Sequence, residues 1–196
     1  VQLTIVPPTY KSFMLERIEF VLKKAVEHGL YTIFRMSYPH NFDPMNNPAS
    51  GDQRCRLIMG VDTSNGIKDG WLDYMSTTNA IFTKEEYKES YLYSFTSWED
   101  FFCLLSFSQN NADQKQERSQ LSKEIGFDKY LMKHYAPDEI RDMFNDEDIE
   151  PGEYPIPRWD ITVKSFPAYI KFLDFKWWEL VELGRSVHPN LTMEVS

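Results

Sequence analysis

The chain reads as an α+β fold: a single mixed or antiparallel sheet covered by several helices, with a long helix near the C-terminal end. Three patterns predict it. Apolar and polar residues alternate over short stretches at both ends of the chain, and a period of two lines one face of a sheet. Between those stretches, apolar residues recur three and four apart, which is the helical period. The longest helical pattern follows Ser165 and Pro167 and runs to about Leu183, with Gly184 as its expected stop.

In order, Val1, Leu3 and Ile5 alternate with polar neighbours and stop at Pro7-Pro8, predicting a short strand that ends in a turn. Residues 11–28 place Phe13, Ile18, Val21, Leu22, Ala25 and Val26 on one broad face, a helix closed by Gly29. Residues 31–36 and 54–61 read as strands around a loop rich in Pro and Asn at 37–53. Asn65-Gly66 is turn chemistry, and another strand is expected near 71–76. Thr83 and Glu86 have capping-box spacing ahead of Tyr87, Tyr91 and Leu92, so a helix is expected there; Ser97 and Asp100 suggest a second.

A polar segment at 108–118 leads into further helix, and Ala136-Pro137 suits a helix entered with Pro in its first turn. The strongest break is 151–158, where Pro151, Pro155 and Pro157 deny helix and central-strand hydrogen bonding. It predicts a linker or an extended arm within a single domain spanning 1–196. Trp159, Ile161 and Val163 then alternate with Asp160, Thr162 and Lys164, a half-buried strand that can join the N-terminal strands in one sheet with helices mainly on one face.

Charge is distributed unevenly. Residues 138–153 hold eight carboxylates (Asp138, Glu139, Asp142, Asp146, Glu147, Asp148, Glu150 and Glu153) and one base, Arg141, a net of −7 in a chain of net −9. Such a face steers or repels partners and does not build a fold. A chain that is 42% hydrophobic and 15% aromatic has ample material for a core.

Several functions are disfavoured. The eight glycines stand apart, without GxGxxG or GxxxxGK[ST], so backbone cradles for phosphates are not expected. Cys55 and Cys103 read as buried thiols. No apolar run reaches the roughly 18 residues of a membrane span, and the first residues lack a secretory pattern, so a cytoplasmic or nuclear protein away from membranes is expected. Excess negative charge disfavours direct nucleic-acid binding. Asp146, Asp148 and Glu150 alternate as in a calcium loop, but Gly152 falls outside the sixth position such a loop requires.

Two functional readings remain. The favoured one is a non-catalytic protein-interaction or regulatory domain, inhibitor-like and without a cofactor. It binds a protein partner, a basic one on charge grounds, through Asp142, Asp146, Glu147, Asp148 and Glu150 with aromatic anchors at Trp177 and Trp178. Adjacent helical residues are about 100° apart, so one of the two Trp is expected in the core and the other partly exposed. The alternative is a metal-dependent phosphodiester hydrolase using Mg or Mn. Asp62 and Asp160 would hold the metal, Lys164 on the same strand face would stabilise the charged transition state, and Glu16 or Glu19 could assist.

Overall fold

The computed structural model describes residues 2–4, 11–36, 67–96, 115–144, 149–158 and 160–193. Four strands, β1 (Gln2–Thr4), β2 (Thr32–Met36), β3 (Tyr91–Thr96) and β4 (Leu191–Met193), form one sheet in the order β1-β2-β3-β4. The helices among the described residues are α1 (Lys11–Glu27), α2 (Ile67–Phe82), α3 (Lys115–Ile125), α4 (Phe127–His134), α5 (Pro137–Phe144) and α6 (Phe166–Arg185). The α+β composition and the long C-terminal helix are as expected, but strand direction is not: all three ladders are parallel rather than mixed or antiparallel. At least one helix separates each strand from the next, and such a crossover returns the chain to the same end of the sheet.

Each new strand also adds on the same side of the last. Because crossovers are right-handed, that order stacks the connecting helices on one face. The contacts agree. Phe82 of α2 stacks on Phe34 of β2 with centroids 4.4 Å apart. Phe34 lies in register with Ser94 and Ser94 with Leu191, and Leu191 meets α6 at Gly184. Phe34 and Leu191 therefore share a face, and α2 and α6 cover it together. Ile18 and Leu22 of α1, Trp71 and Met75 of α2, and Tyr169, Phe172, Leu173 and Val181 of α6 belong to the same buried core. The opposite face carries Ile33, Arg35, Tyr93, Phe95 and Thr192.

The ends of α1 and α6 show two uses of glycine. Gly29 adopts φ 63° and lets Leu30 N–H reach back to the Ala25 carbonyl at 2.8 Å, which closes α1 as the sequence suggests. Gly184 does not terminate α6. It lies buried inside the helix, where Trp71 and Leu191 leave no room for a side chain.

Three expected elements are replaced. Residues 71–76 lie in α2, since Trp71, Met75, Thr78 and Phe82 recur at helical spacing and are all fully buried. Thr83 opens no helix; its hydroxyl donates to the Asn79 carbonyl at 2.8 Å, so it closes α2, and turns lead to β3. The strand expected at 159–163 is a run of turns over its described residues. The Asp160 carboxylate accepts from both Thr162 N–H and Thr162 Oγ1, an arrangement that competes with extended pairing. The strand at 54–61 and the helix from Ser97 fall outside the described residues.

Candidate functional site

The described parts of the acidic segment, 138–144 and 149–153, flank a groove. The first half of the segment is α5, where Pro137 sets the opening φ and the Glu139 carboxylate accepts the Ala136 N–H at 2.7 Å, one half of a capping box. Ile140 and Phe144, four residues apart, share one side of this helix. Ile140 is buried in the core and Phe144 packs against it. The second half turns at Pro151-Gly152, where Gly152 takes φ 87° and Glu153 N–H donates to the Glu150 carbonyl at 3.0 Å. Pro followed by Gly suits a turn that demands positive φ at its third residue.

That turn sends residues 153–158 back across α3. The segment is extended, as its prolines require, but it is not a free arm: Pro155, Ile156 and Pro157 are buried. Ser119 Oγ donates to the Glu153 carbonyl at 2.9 Å and Ile156 N–H to the Arg118 carbonyl at 3.3 Å. Tyr154 then stacks on Phe144, centroids 5.3 Å apart and planes 27° apart. Between the two halves lies a cavity of about 440 Å³ walled by Pro137, Ile140, Phe144, Ile149, Pro151 and Tyr154, with Arg141 also lining it.

The carboxylates around this groove divide into committed and open. Lys164, in the turns before α6, pairs with Asp142 at 2.7 Å. Lys123 of α3 pairs with Glu153 at 2.7 Å, and its ammonium holds the Glu153 carboxyl below the usual range. Glu139 caps its own helix. Asp138 and Glu150 are exposed and have no ion-pair partner among the described residues. Asp146, Glu147 and Asp148 lie outside the described residues. Two lysines from elsewhere in the chain thus soften the local charge excess.

The Trp pair divides as helical geometry requires. Trp177 is 4% exposed, in the core, whereas Trp178 is 41% exposed with the Arg185 guanidinium 5.7 Å from its ring. Neither forms part of the groove wall. Asp160 and Lys164, the pair of the alternative hydrolase reading, share no strand face. The bonds from Thr162 hold the Asp160 carboxyl below its usual range, and Lys164 turns to Asp142. Glu19 is paired with Lys84, and Asp62 lies outside the described residues. Among the described residues no three His, Cys, Asp or Glu side chains converge on a point where a metal could sit.

A second polar cluster is sealed in the core. His188 Nδ1 lies 3.1 Å from the Met75 carbonyl and Nε2 3.0 Å from Tyr91 Oη, which in turn is 2.9 Å from Ser94 Oγ. A carbonyl only accepts, so Nδ1 carries the proton, Tyr91 donates to Nε2, and Ser94 donates to Tyr91. The β3 residues Tyr91 and Ser94 are an odd number apart yet reach the same side because the ladder with β2 shifts register at Thr32/Ile33, leaving Leu92 as the extra residue. Burial lowers the His188 pKa, against the opposing bond to Met75, and raises that of Tyr91 to about 12. Ser94 and His188 are fully buried, so the chain of bonds ties α2, β3 and the approach to β4 together without exposing a nucleophile.

No family model, curated protein or solved structure matches the chain. The groove is what joins the acidic stretch read from the sequence to a shaped surface. Ile140, Phe144 and Ile149 of its walls are apolar residues inside the acidic run, with Ile140 and Phe144 at helical spacing, and Tyr154 directly follows the run.

Proposed function

We propose that this chain is a non-catalytic protein-interaction domain that receives a basic, amphipathic segment of a partner protein in the groove between α5 and residues 149–154. One observation carries the reading: a cavity of about 440 Å³, into which the side chains of Ile140, Phe144, Ile149 and Tyr154 converge beside Arg141, lies at the segment that holds most of the chain's net charge. Its volume falls in the roughly 300–1,000 Å³ range of binding clefts. An apolar side chain docked there gains about 25 cal/mol for each Å² removed from water. The surrounding carboxylates speed encounter with a basic chain and reject an acidic one. Covering a partner's basic segment gives such a domain an inhibitor-like, regulatory role. None of the described helices is long and apolar enough to cross a membrane.

The test is fluorescence anisotropy with a labelled Lys-rich peptide carrying Phe or Leu anchors, beside a Glu-rich peptide with the same anchors. The Lys-rich peptide is expected to bind and to weaken as salt rises. Phe144→Ala is expected to cost about tenfold in affinity, the scale of a central anchor, and Glu150→Lys to reduce the salt dependence. Equal binding of both peptides, or no loss with Phe144→Ala, would sink the reading.

A further inference from the structure

We infer that Arg141 sets the register of the docked segment by meeting a carboxylate on it, so the preferred ligand is a basic, apolar-anchored peptide with one acidic residue beside its anchor. The inference rests on the groove reading above and adds a specificity determinant to it. Arg141 is the only base among the residues 138–153, and it lines the cavity. Within α5 only Asp138 has the spacing to face Arg141, and the neighbouring carboxylates are engaged elsewhere. Glu139 is turned back to the Ala136 N–H at 2.7 Å, and Asp142 is taken by Lys164 at 2.7 Å. Asp138, three residues before Arg141, makes no ion pair with it. Arg141 therefore keeps its guanidinium donors uncommitted among the described residues, at the edge of a cavity whose other lining residues are Pro137, Ile140, Phe144, Ile149, Pro151 and Tyr154.

A guanidinium presents a planar fork that accepts a carboxylate through two parallel bonds. Arg141 is exposed, so water screens the charge and the two-point geometry of the fork carries the selectivity. Free carboxylates at Asp138 and Glu150 meanwhile favour Lys or Arg on either side of the anchor. An acidic residue elsewhere in the ligand would meet these carboxylates and be penalised. The site thus discriminates by position and not only by net charge.

The test is a set of Lys-rich peptides with one Phe anchor, in which a single Glu occupies each neighbouring position in turn, each matched by a Gln peptide. Binding is measured to the wild type, Arg141→Gln and Arg141→Glu. Arg141 is exposed, so these variants are expected to unfold at the wild-type temperature, which thermal melts would check. At one position the Glu peptide is expected to bind the wild type about tenfold more tightly than its Gln partner. Arg141→Gln should abolish that preference and Arg141→Glu invert it. If the Gln peptides bind but no position favours Glu, or if the preference survives Arg141→Gln, the inference fails while the groove reading stands. If no peptide binds, both fail.

Discussion

Gly184→Ala probes the closest approach in the fold. A methyl at this position would meet Leu191 Cδ2 and lie 2.9 Å from Trp71 Cη2, well inside the roughly 3.5–4.0 Å of favourable carbon contact. Neither neighbour can swing into solvent, since Leu191 is 1% exposed and Trp71 fully buried. Overpacking of this kind costs about 1–3 kcal/mol, and two obstructed contacts place it in the upper part of that range. Alanine returns about 1 kcal/mol through its better helix propensity. The net expectation is a loss of about 1–2 kcal/mol, or roughly 2–8 °C in Tm for a chain of this size. Urea and thermal unfolding followed by circular dichroism would measure it. In a Leu191→Ala background the same change should cost less, because one of the obstructing groups is gone. A Gly184→Ala variant more stable than wild type would show only the propensity gain and would refute the packing of α2, α6 and β4 at this point.

The buried polar chain gives a pH dependence. The lowered pKa of His188 means that the unfolded chain takes up a proton near pH 6.5 that the folded chain refuses. Stability is therefore fully present above about pH 6.5 and falls as the pH drops below it; the gap between the urea midpoints of wild type and His188→Gln, set above about pH 6.5 by the lost buried bonds, should narrow as the pH falls below it. Tyr91→Phe removes the donor to His188 Nε2 and the acceptor of Ser94, and should cost about 1–3 kcal/mol, measurable by the same unfolding experiment. Trp177→Ala is expected to cost about 3–5 kcal/mol as a core truncation. Trp178→Ala should cost far less, and equal losses would contradict their division between core and surface.

Local signals were legible where one element satisfies itself. The face of α1 and its Gly29 closure, and the start of α6 at Ser165 and Pro167, are set by residues within a turn of one another. Strand direction was not, because pairing depends on where intervening helices pack. Residues 71–76 and 83–92 differ from the expected elements because short windows support two periods. Trp71 belongs with Thr78 and Phe82, beyond a strand-sized window, and Thr83 bonds backward to Asn79. The acidic run was plain in the sequence, but the groove within it depends on the turn at Gly152 and on α3 holding residues 153–156. The pairing of Asp142 and Glu153 with Lys164 and Lys123 joins residues 22 and 30 positions apart, which no spacing rule reveals. Lys164 stands beside Asp160 only on a strand, and the turns at 161–165 send it to Asp142 instead.

The most direct measurement is amide chemical-shift mapping of the protein during titration with a Lys-rich, Phe-anchored peptide. A basic ligand in the groove is expected to move the resonances of Ile140, Arg141, Phe144, Ile149 and Tyr154 first and most. Shifts centred instead on the exposed side of α6 around Phe175 and Trp178, or no shifts at all, would contradict the account.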